Sequence, residues 1–208
     1  MAATYYGGLL AFCAFWLGAC PLSVWLGRWC LRRDIREYGD GNPGAANVFR
    51  AGGRKLGSAA LALDVGKGVP FVAMAHLVFH LPVHAVMVVA VSAVLGHAFS
   101  PFLRFRGGKA IAVTFGVMLA LPQHEILFLF VLFTLLGFFF LRGNAWTVTL
   151  ASVGTMASLM VMGGRLWEPL FMLCVAAVFI LKHGRELRTL PGVNGRLVGW
   201  LQTRKRET

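Results

Sequence analysis

Most residues in this chain that could do chemistry fall in three short stretches. The first, Asp34 to Arg54, holds Gly39, Asp40, Gly41, Asn42, Pro43, Gly44, Asn47 and Arg50. Glycines at 39, 41 and 44 free the backbone to present N–H groups to an anion. Asn42 ahead of Pro43 reads as an N-cap with proline in the first helical position. That predicts a short helix from Pro43 to about Ala51, its positive end aimed at the loop, with Asn47 and Arg50, three apart, on one face. The second stretch, Gly96 to Lys109, carries His97, Ser100, Arg104, Arg106 and then Gly107-Gly108-Lys109 directly before an apolar run. Backbone donors, helix dipole and ammonium joined at a helix start suit a phosphate. Each glycine cluster also reads as an ordinary turn between helices. The third is Asp64 and Lys67, at i and i+3 inside an apolar run, with Gly66 and Gly68 beside them. Ionised groups there are costly unless paired or lining a polar cavity, so a structural ion pair and a ligand site both fit. Thr147, Thr149 and Ser152 add hydroxyls at one helix end, and Lys182, His183 and Glu186 close the last apolar run.

The elements that must position these residues are apolar. Of 208 residues 58% are hydrophobic and 13% charged, with a mean hydropathy of +0.71, whereas soluble domains are about a quarter charged. Secreted disulfide scaffolds, disordered tails and ordinary cytosolic enzymes are excluded. Apolar runs at 5–27, 58–79, 82–99, 110–121, 124–141, 145–162 and 165–181 predict an all-α integral membrane protein of about seven transmembrane helices. The fourth, ending at Leu121-Pro122, is short for a lipid-exposed span. No basic segment precedes the first run, which reads as an anchor rather than a cleaved signal. Residues 1–190 form one expected polytopic domain, followed by a basic tail, 191–208, whose Arg196, Arg204, Lys205 and Arg206 suit anionic headgroups.

The formal charge of +12 sorts by loop. Nineteen of the twenty Lys and Arg fall on one side of this layout and only Arg165 on the other, which puts the N-terminus outside and the tail in the cytoplasm. The basic residues sit between apolar runs without interleaved aromatics, so nucleic acid is not an expected partner. Both glycine loops then lie on the cytoplasmic face, and two anion seats on one face suggest two phosphorylated substrates. Cys13, Cys20, Cys30 and Cys174 show no metal or redox spacing and are expected to be packing residues.

In this order, these pieces resemble the bacterial PlsY family, the integral-membrane acyl-phosphate:glycerol-3-phosphate acyltransferases. The family's Asp-Ile-Arg and Gly-Ser-Gly-Asn-Pro-Gly-Ala-Thr-Asn with a downstream Arg are met at Asp34-Ile35-Arg36, Gly39 to Asn47 and Arg50, seven of the nine central positions agreeing. Its Asp-x-x-Lys-Gly is similar to Asp64 to Gly68, its Gly-His and Phe-Lys-Gly-Gly-Lys-Gly to Gly96-His97 and Phe105 to Lys109. Its Val-Ser-Leu-Ala-Ser is similar to Val148 to Ser152, and its closing basic-His pair to Lys182-His183.

The resemblance implies a multi-pass enzyme of the bacterial inner membrane, working without a metal or other cofactor at the cytoplasmic face. It would move an acyl chain from acyl phosphate to the 1-hydroxyl of glycerol 3-phosphate among membrane lipids, giving lysophosphatidic acid for phospholipid synthesis. On this basis His183, Asn47, Ser100 and His97 are candidate catalytic residues. Asp40, Gly41, Asn42, Gly44, Arg50, Asp64, Lys67, Gly107, Gly108, Lys109, Thr149, Ser152 and Glu186 are candidates for substrate binding. The chain departs from the pattern at Asp40 for Ser, Ala46 for Thr, Ala110 for Gly, Val113 for Thr and Glu186 for Asn. A carboxylate about 4 Å from a bound phosphate costs on the order of 4 kcal/mol at an effective dielectric of 20 unless an arginine matches it. Arg36, Arg54, Arg185 and Arg188 are the candidates for that. A diverged paralogue with another acceptor or donor, and a non-catalytic lipid-binding or regulatory protein, are the alternatives these departures leave open.

Overall fold

The computed structural model describes residues 2–163 and 165–193; the expected basic tail beyond its first three residues, with Arg196, Arg204, Lys205 and Arg206, lies outside them. The chain forms two compact units, Met1–Leu127 and Phe128–Thr208.

In the first unit the run expected as one helix over 5–27 is two, α1 (Ala2–Ala19) and α2 (Leu22–Leu31). Pro21 has no N–H to continue the ladder and its ring excludes the preceding carbonyl. Arg32, left-handed at φ 52°, closes α2 by donating its N–H to Arg28 O. The second expected span is also interrupted. It starts earlier, as α3 (Ala45–Gly66), turns at Lys67 to Val69 ahead of Pro70, resumes as α4 (Pro70–Ala73) and widens into a π-helical turn at Met74–Val78. α5 (Val83–Ala98), α6 (Ile111–Ala120) and the first residues of α7 (His124–Phe140) follow at the predicted places. Among the described residues, three largely helical stretches, Thr4–Leu31, Ala45–Val78 and Val83–Leu103, are long and apolar enough to cross a membrane, and Ile111–Ala120 and His124–Phe140 are shorter apolar helices.

Small residues set the packing. A Cβ on Gly18 would strike the Ala93 carbonyl and one on Gly96 the Phe15 carbonyl, so α1 and α5 cross backbone to backbone. A Cβ on Gly116 would strike the Val65 carbonyl, and one on Gly68 would come 2.5 Å from Val113 O, which brings α6 equally close to the end of α3. Val24, Ile35, Ala45, Val48 and Ala60 form a buried cluster that ties α2, the loop and α3 together.

The second unit holds the rest of α7, then α8 (Asn144–Val161) and α9 (Trp167–His183). Among the described residues, the exception to the all-α expectation is a two-residue antiparallel ladder, β1 (Leu141–Arg142) with β2 (Gly192–Val193). Trp146 Nε1 donates to Thr189 O at 2.8 Å, holding the chain after α9 against the start of α8.

One expectation about the cysteines is corrected. Cys13 and Cys20 are half-buried, but Cys30 and Cys174 are exposed on the protein surface. Cys174 lies in the run 165–181, but a helix in an apolar solvent has no hydrophobic reason to turn its apolar side chains inward, so membership of that run did not fix its face; Cys30 lies beyond the run 5–27, near the end of α2.

Candidate active site

The first loop begins at Asp34, whose carboxylate caps a short 3-10 turn at Ile35–Glu37 by accepting the Arg36 N–H at 3.0 Å. It also accepts from the Arg36 guanidinium at 2.9 and 2.6 Å and from Arg28 at 2.9 Å. The Arg36 hydrogen bonds above all hold this carboxyl well below the usual range, against a smaller upward push from burial. Arg36, a candidate for matching Asp40, is therefore engaged by the acid two residues away.

Beyond the turn the backbone passes through Gly39 and Gly41, left-handed at φ 58° and 73°. Glycine is doubly required at 39, because a Cβ there would strike the Arg50 guanidinium and stand 2.6 Å from Asn47 Oδ1. Between these glycines sits Asp40. Its Oδ1 accepts the Asn42 N–H at 3.2 Å and Asn47 Nδ2 at 3.2 Å, and lies 3.8 Å from the Arg50 guanidinium. Its Oδ2 lies 2.8 Å from Lys109 Nζ. Burial pushes this carboxyl up, but the Lys109 ammonium and the Asn42 N–H pull harder, leaving it below its ordinary value.

Asn47 is fully buried. Its amide nitrogen also donates to Asn42 O at 2.9 Å, and its Oδ1 accepts from Arg50 at 2.6 Å. The expected placement of Asn47 and Arg50 on one helical face is thus what lets the buried amide orient the guanidinium. Two details differ. Asn42 does not cap the helix and Pro43 is not its first residue: Gly44 is the N-cap and α3 starts at Ala45. Asp40 captures the Asn42 N–H and Asn47 takes its carbonyl, which keeps the chain extended through Gly44. The first helical segment does stop close to the expected Ala51: Gly53 is non-helical (φ 72°, ψ −170°), and a second segment continues beyond it to Gly66.

Lys109 arrives from the second loop. After a 3-10 turn at Pro101–Leu103, Arg104 and Phe105 are left-handed at φ 51° and 61°, and the Phe105 N–H returns to Ser100 O at 2.9 Å. The two glycines then pass tightly over the end of α5: a Cβ on Gly107 would strike the His97 carbonyl, and one on Gly108 the His97 ring. This corrects part of the expected backbone cradle. The Gly108 N–H donates to His97 O at 3.1 Å and the Gly41 N–H to Tyr38 O at 3.1 Å, so both are committed within the fold. α6 begins on Ile111, one residue after the start of the expected run, with Ala110 at its N-cap in a left-handed conformation, φ 62°.

The remaining candidates of this unit serve the break in α1. Stopping a helix at Pro21 strands carbonyls that water would otherwise satisfy. Ser100 Oγ donates to Ala19 O at 2.5 Å and Lys67 Nζ to Cys20 O at 2.8 Å. Lys67 Nζ also pairs with Asp64 Oδ1 at 3.0 Å, and Ser23 Oγ donates to Asp64 Oδ2 at 2.7 Å. This geometry accounts for Asp64, Lys67 and the Ser100 proton without a ligand. His97 is buried beside them.

In the second unit His183 is buried, with Nδ1 3.0 Å from Phe179 O. A proton on Nδ1 in that contact leaves Nε2 as the accepting nitrogen. Ser152 Oγ donates to Val148 O at 2.8 Å inside its own helix, a common arrangement for a membrane-helix hydroxyl. Thr149 Oγ1 is buried without a hydrogen-bond partner among the described residues. Glu186 opens a 3-10 turn, Glu186–Arg188, after α9. Sequence reasoning missed that Lys109 is the principal cation of Asp40, and that Ser100 and Lys67 cap a broken helix. The signal for the second was Pro21.

Apolar helices of spanning length, with a guanidinium oriented by a buried amide and an ammonium from a second loop meeting at one acidic group, define an integral-membrane protein with a polar, charge-bearing site. The chain belongs to the glycerol-3-phosphate acyltransferase family, whose model, described as Glycerol-3-phosphate acyltransferase, matches residues 8–191 and so runs through both units. A Streptococcus equi subsp. zooepidemicus glycerol-3-phosphate acyltransferase is 31% identical over 199 residues, 92% of each chain. One from Maridesulfovibrio salexigens is 41% identical over 141 residues, 66% of this chain and 72% of the relative. The crystal structure of PlsY, described as an integral membrane glycerol 3-phosphate acyltransferase in its glycerol 3-phosphate form, superposes with a TM-score of 0.77 at 26% identity, covering 88% of this chain and 90% of that one. A lysophosphatidic acid form of the same enzyme gives 0.75. The resemblance read from the motifs is borne out, and the chain is a membrane acyltransferase.

Proposed function

We propose that this chain moves a fatty acyl group from an acyl phosphate to the 1-hydroxyl of glycerol 3-phosphate, releasing inorganic phosphate and lysophosphatidic acid. The observation that carries the reading is the meeting of Arg50, Asn47 and Lys109, from two distant stretches, around one carboxylate. A phosphate ester asks for the same donors, a guanidinium fork and a compact ammonium. The acceptor and the product of this reaction are the ligands named for the two solved forms of PlsY.

Acyl phosphate is a mixed anhydride with a good leaving group, so no acyl-enzyme is needed. The acceptor oxygen bonds to the acyl carbonyl carbon, the carbon–oxygen bond to phosphate breaks, and phosphate leaves with the electron pair. The hydroxyl proton passes to the acceptor's own phosphate, whose second pKa is about 6. The protein contributes positioning and donors to the developing oxyanion. Arg50, Lys109 and the amide of Asn47 bind phosphate, with Gly44 and Gly107 as backbone donors. An orienting role for His183, and substrate contacts by Thr149 and Glu186, rest on the family resemblance alone. Purified protein given acyl phosphate and glycerol 3-phosphate is expected to form lysophosphatidic acid and phosphate in equal amounts. A folded protein that yields neither would defeat the reading.

We further infer one acyltransferase domain over residues 1–190 with seven membrane helices, its N-terminus outside, its site facing the cytoplasm of a bacterial inner membrane. The one-sided distribution of Lys and Arg supports this. Exposed Cys30, near the cytoplasmic end of α2 in that arrangement, provides the test. With the other three cysteines replaced by alanine, an impermeant maleimide is expected to label Cys30 in inverted vesicles and not in intact spheroplasts; the reverse would invert the topology.

A further inference from the structure

We propose that Asp40 is a built-in competing anion: its carboxylate holds the cations of the seat, and a substrate phosphate binds by displacing it, so that Asp40 sets the affinity of the site for phosphoesters. The proposal rests on the phosphate seat read above and deepens it. Asp40 reaches both stretches at once, Oδ2 to Lys109 at 2.8 Å and Oδ1 toward Arg50 at 3.8 Å and Asn47 Nδ2 at 3.2 Å. Those are the donors a phosphate would use.

Charge counting shows why the two anions compete. Among the described residues, the ion-pair partners of Asp40 are Lys109 and Arg50, two cations. A phosphate dianion matches them only when the carboxylate is absent; with Asp40 in place the seat holds three negative charges against two positive. Among the described residues, Arg28 and Arg36 do not relieve the excess, because both are drawn to Asp34.

The loop permits the exchange. The Asp40 side chain is 38% exposed, against 2% for Asp64 in its buried pair, so it can swing into water. Asn47, fully buried, stays and keeps Arg50 aimed. The carboxyl is held in its charged form around neutral pH by its partners, so displacement rather than protonation clears the seat.

The experiment compares the wild-type full chain with Asp40→Asn and Asp40→Ser, purified in detergent. Asp40→Asn keeps the shape and an oxygen for the Asn42 N–H while removing the charge. We measure KM for glycerol 3-phosphate separately from kcat, and Kd for inorganic phosphate by titration calorimetry. Both constants are expected to fall at least tenfold, about 1.4 kcal/mol, in each folded variant. A residue that only braced the loop would raise KM on removal, never lower it. Unchanged or weaker phosphate affinity in Asp40→Asn overturns the proposal, and that variant decides the matter if Asp40→Ser does not fold. Should the wild type fail to turn over acyl phosphate, the acyltransferase reading falls while the phosphate titrations still decide the role of Asp40.

Discussion

Two acid–ammonium pairs in the first unit have nearly the same length and opposite meanings. Lys67 and Asp64 meet at 3.0 Å with both side chains 2% exposed; Lys109 and Asp40 meet at 2.8 Å with 20% and 38% exposed. Around the buried pair every contact faces inward: Ser23 donates to Asp64 and Lys67 donates to the carbonyl that Pro21 strands. Around the open pair the contacts come from a glycine-turned loop, and the Arg50 guanidinium is itself half exposed. Distance therefore says little about role. What separates scaffold from site is whether water, and hence a substrate, can reach the charges.

The largest effect that would sharpen this contrast is on stability. Removing one partner of a buried ion pair leaves the other charge uncompensated, at about 3–5 kcal/mol. Lys67→Ala is expected to lose that much in detergent unfolding, since it orphans the Asp64 carboxylate and the Cys20 carbonyl together. The double variant Asp64→Leu with Lys67→Met should recover most of the loss, because replacing a whole buried pair by apolar groups is often near neutral. A Lys67→Ala loss below about 1 kcal/mol would erase the distinction between the pairs and return Lys67 to the list of substrate ligands.

What the sequence made legible follows the range of each interaction. The apolar runs located the helices, since hydropathy reports local composition, and the i, i+3 spacing put Asn47 and Arg50 on one face, where they hydrogen-bond. The breaks at Pro21 and ahead of Pro70 were written in the chain as prolines, but their consequences were tertiary. Which side chains would satisfy the stranded carbonyls depended on Ser100 and Lys67 arriving from other elements. The shorter of the two ion pairs of Asp40, with Lys109, was missed for the same reason. Arg36 looked available until the local cap at Asp34 claimed it, and Lys109 is 69 residues away in the chain. Left-handed Ala110 was equally out of reach: its departure from the family glycine was visible in the sequence, its own backbone angle was not.

The smaller effect lies at the open pair and should take the opposite form. An exposed salt bridge contributes at most about 1 kcal/mol to folding, so Lys109→Ala is expected to leave the unfolding midpoint almost where it was. Its loss should appear instead in catalysis, because a hydrogen bond to a charged group is worth about 1.5–3 kcal/mol and the ammonium meets a dianion. That corresponds to roughly a ten- to hundredfold fall in kcat/KM for glycerol 3-phosphate. The size of the fall also depends on Asp40, since removing Lys109 takes a partner from the carboxylate as well as from the phosphate. In Asp40→Asn, where no internal anion competes, Lys109→Ala is expected to cost more in phosphate affinity than it does in the wild type. Equal losses in the two backgrounds would show that Asp40 and the phosphate do not share this ammonium. A large stability loss from Lys109→Ala would move Lys109 into the scaffold beside Lys67.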